Sequence, residues 1–287
     1  VIHRIAWIFA LTLSTVSAQQ GDRLWIGNAA GFAPSGKIAP GSLAQYSIAF
    51  QEFPPNLPFE TPTLTLRQGT GPEIPLDLQD GTALSGKFYI PENAAIGPAT
   101  ITLKSDTFRI STDVDIVASA AAFYTVDFSR VLTAQLAPTA SPVQLTRPAR
   151  PGDVITVWGT GLGNATSGEI EASIGTQPLQ VLYVGHSAQY RGLDQYNLAI
   201  PTGAQLPDTC YARLNFKVRG AATPSGYIPT GNAATGPCRH PLNLTTAQLT
   251  TLDQGGQIPM ASFTLSTFVS PASREDAGVD FTPHPTA

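Results

Sequence analysis

The stretch with the most chemical promise is Trp158-Gly159-Thr160-Gly161-Leu162-Gly163. A glycine-rich loop after a strand cradles phosphate when its amides lead into a helix N-terminus. Here the chain continues as Asn164-Ala165-Thr166-Ser167-Gly168, a turn-forming run, with no Lys-Ser or Lys-Thr pair. The reading is a sandwich loop, so no nucleotide or other cofactor is expected. No Gly-x-Ser-x-Gly elbow occurs, which removes one common nucleophile turn. Past residue 18 the histidines are His186, His240 and His284, none at His-x-x-x-His or Cys-x-x-Cys spacing, so no zinc site is expected. His186 follows Val184-Gly185 and reads as an ordinary surface histidine in a loop. Asp113 and Asp115 share one strand face. Glycosidase carboxylates instead flank a cleft from different elements, so these two read as a solvated edge. Asp77 and Asp80-Gly81 faintly resemble a calcium loop but lack the remaining oxygen ligands, and a hairpin turn is expected there.

Recognition chemistry has more material. Arg213, Lys217 and Arg219 form the single basic stripe, suited to an anionic glycan or a lipid headgroup, or else a solvated face that deters edge pairing. Tyr183, Tyr190 and Tyr196 with Arg191 offer a sugar-stacking platform, unless some of the rings pack inside. Asn164-Ala165-Thr166 and Asn243-Leu244-Thr245 match glycosylation sequons, which matter only in a glycosylating host. Cys210 and Cys238 are the two cysteines. In an oxidising compartment an even pair bridges, which predicts a disulfide with Cα atoms within about 7 Å.

These residues must be positioned by β structure. Charged residues make up 13% of the 287, against roughly 25% in ordinary soluble domains, while Gly (26) and Pro (25) are frequent. Solubility then comes from hydroxyls and turns, and the turn density points to an all-β chain. The net charge of −4 argues against a nucleic-acid binder. Residues 1–18 read as a signal peptide: His3 and Arg4, an apolar run from Ile5 to Leu13, then Val16-Ser17-Ala18 before Gln19. No later segment is apolar enough to span a membrane as a helix.

The chain also repeats itself. Pro40-Gly41-Ser42 returns as Pro151-Gly152-Asp153, and Ile90-Pro91 returns as Ile200-Pro201, at offsets of 111 and 110 residues. A unit of roughly 100 residues with short strands has the size of an immunoglobulin-like sandwich. The expectation is two tandem immunoglobulin-like β-sandwiches over 24–118 and 120–270. The second carries an extension with a short helix near Thr245 to Leu252 and a final strand at 261–269. Residues 271–287 read as a flexible tail. The clearest strand is Cys210 to Arg219, with Cys210, Ala212, Leu214, Phe216 and Val218 facing inward.

The run Pro151 to Gly163, with Val181-Leu182-Tyr183-Val184-Gly185 and Gly192-Leu193-Asp194-Gln195-Tyr196-Asn197-Leu198-Ala199-Ile200-Pro201, resembles the signature of a family of secreted bacterial proteins of unknown function. Asn28-Ala29-Ala30-Gly31-Phe32-Ala33-Pro34 is similar to the opening of that family's module. The resemblance is strong over about 120–220 and looser over 24–118, where the Gly-Thr-Gly-Leu-Gly loop is missing. It implies IPT/TIG-type immunoglobulin-like sandwiches and carries over no catalytic residue. The functional expectation is a secreted, extracellular or periplasmic, non-catalytic binding or adhesion module for an extracellular polymer or protein. The alternatives are a structural spacer in a surface or matrix assembly and an enzyme with an unrecognised site.

Overall fold

The computed structural model describes residues 22–31, 35–51, 61–126 and 130–259. The expected signal peptide, the strand at 261–269, the tail and His284 lie outside the described residues. The first half contains β1 (Arg23–Asn28), β2 (Lys37–Ile38), β3 (Leu43–Ala49), β4 (Thr63–Arg67), β5 (Ile74–Leu76), β6 (Leu78–Gly81), β7 (Ser85–Tyr89), β8 (Gly97–Lys104) and β9 (Arg109–Ile116). They form two sheets, ordered β1-β3-β7-β6 and β2-β9-β8-β4-β5. With the main strands lettered along the chain, these are ABED and GFC, the immunoglobulin arrangement.

The second half contains β10 (Ala122–Phe123), β11 (Thr125–Val126), β12 (Val131–Leu132), β13 (Ala134–Ala137), β14 (Ser141–Pro142), β15 (Val154–Thr160), β16 (Ile170–Ile174), β17 (Gln177–His186), β18 (Asp194–Ala199), β19 (Thr209–Val218), β20 (Ala221–Ala222) and β21 (Gly226–Thr230). Strands β13-β15-β18 make one layer and β16-β19-β21 the other. The long strand β17 joins them: residues 177–179 pair with β16 and residues 180–186 with β18, with a bulge at Val181–Tyr183. Such a bend lets one strand serve both sheets.

Each sandwich has its own core. Alternation along β19 buries Cys210, Ala212, Leu214, Phe216 and Val218, as the sequence pattern requires. In β3 the inward set is Ala44, Tyr46 and Ile48, while Leu43 is buried on the side of the second sandwich. Pro40-Gly41 and Pro151-Gly152 both precede the second main strand, and the same bonds stand at both. Gly41 N–H donates to Ile90 O at 3.2 Å and Gly152 N–H to Ile200 O at 3.0 Å. Ile90 N–H donates to Ser42 O and Ile200 N–H to Asp153 O, both at 2.9 Å.

The extension is tied down. Helix α1 (Thr246–Asp253) begins at the N-cap Thr245, whose side chain accepts from Gln248 N–H. Leu249 packs with a Cys210–Cys238 disulfide whose Cα atoms are 4.9 Å apart. The Asp253 carboxylate accepts from the amides of Leu145 and Thr146, each at 2.9 Å. Asp80-Gly81 is not a turn as expected: it ends β6, and the Tyr46 hydroxyl reaches over it to Thr82 O at 2.6 Å.

Candidate functional site

The glycine-rich loop holds the two sandwiches together. Gly161 (φ 91°) and Gly163 (φ 63°) adopt backbone conformations that side chains disfavour, and a Cβ at either would overlap the carbonyl of Ala120 or Ala118 in the connecting segment. Closeness permits Ala120 N–H to donate to Gly161 O at 2.8 Å. Asn28, at the end of β1, donates through Nδ2 to Ala120 O (2.8 Å) and Thr160 O (2.9 Å). The fully buried Thr160 hydroxyl accepts from Leu43 N–H at 2.8 Å. One loop of the second sandwich thus grips the connection and the edge of the first.

Behind the loop lies Asp194, fully buried at the start of β18. Its Oδ2 accepts from Leu162 N–H at 2.7 Å, and its Oδ1 lies 2.6 Å from His186 Nδ1. His186 is on the surface as expected but is not a loop residue: it ends β17, directly opposite Asp194 in the ladder. The hydrogen bond to Asp194 raises His186 above the ordinary histidine value. Partial burial opposes this, and the charges of Asp194 and Glu92 and the Gly163 carbonyl add to it. For Asp194, burial favours the neutral acid, opposed by the His186 and Leu162 hydrogen bonds. Tyr124 is pushed up to about 12, mainly by burial, with Asp194 and Tyr89 contributing. An Asp–His pair superficially suits acid–base work, but an imidazole held between acceptors is kept as a donor, contrary to what a general base needs.

Arg191 also crosses the joint. Its Nη1 lies 2.6 Å from Asp77 Oδ2, and its guanidinium sits 4.5 Å from the Tyr89 ring centroid. That places Asp77, expected in a hairpin turn, in an ion pair, as is Asp80 with Lys87 at 3.6 Å.

The three-ring platform does not form. Tyr196 is fully buried between Phe123 and Phe216, with ring centroids 4.9 and 5.8 Å away. Alternation along β18 could have shown this, because Asp194, Tyr196 and Leu198 share the inward face. Tyr183 is exposed and lies across Gly185, where a Cβ would meet its hydroxyl, and Tyr190 is exposed in the following turn. Asp113 is exposed and accepts from the Thr100 hydroxyl at 2.9 Å. His240 is buried and pairs through Nε2 with the Tyr211 hydroxyl at 3.1 Å. Asn164 of the first sequon accepts from Arg219 at 2.8 Å.

The basic stripe is divided. Lys217 pairs with Glu171 and Arg219 with Glu169, each at 2.9 Å. Arg213 donates only to the Ser225 hydroxyl, at 2.9 Å, among the described residues, and lines a cleft of about 610 Å³ between the sandwiches. Asn28, Ser119 and Ala120 belong to both the joint and this cleft. Its other cations, Lys37 on β2 and Arg130 before β12, were missed by sequence reasoning. They lie 176 and 83 residues from Arg213, and nothing in local spacing brings them together.

No family model matches the chain, and no curated protein matches it. Among solved structures, the chain is similar to a tandem pair of titin Ig domains, at 9% identity and TM-score 0.20, over 69% of this chain and 93% of that one. It is similar to invasin, described as a bacterial integrin-binding protein, at 15% identity and TM-score 0.20, over 74% of this chain and 39% of that one. A third similarity is to the BSP domain of a biofilm-associated protein, at 14% identity and TM-score 0.23, over 69% and 29% of the two chains. The chain thus spans well under half the length of the last two. The immunoglobulin-like assignment rests on the strand order.

Proposed function

We propose that the chain is an exported, non-catalytic binding or adhesion module whose ligand seats in the cleft between its two sandwiches. The carrying observation is that the groups best suited to chemistry, the Gly-rich loop and the His186–Asp194 pair, are engaged in the joint that borders this cleft. A cleft of about 610 Å³ has the size of a ligand site. The disulfide is consistent with an oxidising compartment, and no helix among the described residues is long and apolar enough to cross a membrane. The matched bonds at Gly41 and Gly152 support one ancestral unit, used twice, with its boundary near residues 118–122.

Binding to an array of extracellular proteins and polymers tests this reading. Ala222→Trp fills the cleft from the exposed strand β20 without touching a charge. Saturable binding that Ala222→Trp abolishes, with Tm preserved, supports the proposal. Binding unchanged in that variant, or turnover of any probe, overturns it. The spacer reading is favoured by the joint itself, which suits a rigid strut, and it predicts no saturable partner for the cleft.

A further inference from the structure

We propose that the cleft is a docking site for an extended acidic peptide segment of a partner protein, an inference that rests on the cleft being the binding surface. Its cations come from three places: Lys37 on β2 of the first sandwich, and Arg130 just before β12 and Arg213 on β19 of the second. All three are exposed, and no carboxylate stands among the described residues that line the cleft. The other basic side chains around the joint and the stripe already have acidic partners: Arg191 with Asp77, Lys217 with Glu171 and Arg219 with Glu169. Lys37, Arg130 and Arg213 form no ion pair among the described residues, so the charge here is left for something else.

The walls select the kind of anion. The cleft is also lined by Ala120, Ala121, Ala221 and Ala222, with Ser119 and Thr223. Side chains this short let a peptide main chain approach closely, while hydroxyls and backbone groups can take up its amides and carbonyls. A sugar polymer would need a ring face for stacking, and the one phenyl ring in the lining, Phe123, is 4% exposed and stacked on Phe216 at 4.0 Å. The guanidinium groups of Arg130 and Arg213 match carboxylates bidentately. The joint fixes the spacing of the two walls, so the register of acidic residues along the peptide follows from it.

Fluorescence anisotropy with a labelled oligoglutamate peptide and the full chain tests the proposal. Saturable binding is expected, weakening at least about tenfold between about 50 and 500 mM NaCl as exposed charges are screened. Arg213→Glu and Arg130→Glu should each weaken it about tenfold or more, because like charge is set against the ligand. Lys217→Glu, outside the cleft, should leave it unchanged. The circular dichroism and Tm of each variant exclude misfolding, and Arg213→Gln keeps the test open if the reversal unfolds the chain. Absence of binding, equal loss in Lys217→Glu, or binding of a heparin-derived oligosaccharide in place of the peptide would each overturn it. The array with Ala222→Trp separates the two levels. If another ligand is lost in that variant while oligoglutamate never binds, the peptide proposal fails and the cleft remains the site.

Discussion

At Tyr196 the hydroxyl is buried with no hydrogen-bond partner among the described residues, and burial with the nearby Asp194 charge raises its pKa well above the ordinary tyrosine value. An unpaired buried hydroxyl costs stability that a phenyl ring of the same shape does not, so Tyr196→Phe should stabilise the chain by about 1 kcal/mol in urea unfolding. A destabilising result would mean that the hydroxyl has a partner. His186 gives a pH signature. Its folded pKa is raised, so its contribution is fully present below the unfolded value of about 6.5 and is lost as pH rises through the folded pKa. The groups facing it are Asp194 from β18, the Gly163 carbonyl from the Gly-rich loop, and Glu92 and the Gly41 backbone from the first sandwich. Burial raises Asp194 as well, so its own contribution is likewise present at low pH and lost as pH rises. The Tm difference between the parent and His186→Gln should be largest near pH 6 and shrink in alkali. A difference that grows with pH contradicts the pairing.

Among the elements, the glycine loop and the disulfide clamp carry the clearest consequences. Gly163→Ala forces a side chain into the left-handed region and onto the Ala118 carbonyl, which should cost at least about 2 kcal/mol. Gly203→Ala, where a Cβ meets nothing within 4 Å, serves as the control and should change stability by less than about 0.5 kcal/mol. Removing the bridge with Cys238→Ser should cost about 3 kcal/mol, because 27 residues between the cysteines regain freedom in the unfolded chain and α1 loses its anchor at Leu249. Calorimetry of all three variants checks these values. Elements with strong local pattern were legible in the sequence. Alternation fixed the inward face of β19, Thr245 or Thr246 read as the N-cap of a short helix where α1 begins, and the paired Pro-Gly and Ile-Pro landmarks framed two sandwiches. What stayed hidden depends on register and long-range contact. His186 meets Asp194 only once β17 and β18 are paired, and Gly161 meets Ala120 across 40 intervening residues. The same holds for the cleft, whose three cations come from three separate elements.

For the whole molecule, one joint locks the two sandwiches, so that the cleft exists before any ligand arrives. Asn28, Thr160, the Gly-rich loop and the Arg191–Asp77 pair all act across it, and several of these contacts are buried and would exchange slowly with looser arrangements. An unlocked pair of domains would sample many separations, as connected domains do by default. Pulsed dipolar spectroscopy between spin labels at exposed Ser111 of the first sandwich and exposed Thr176 of the second reads this separation directly. A locked joint gives one narrow distance distribution in the parent, unchanged by oligoglutamate and broadened by Gly163→Ala. A broad or multiple distribution in the unliganded parent would contradict it.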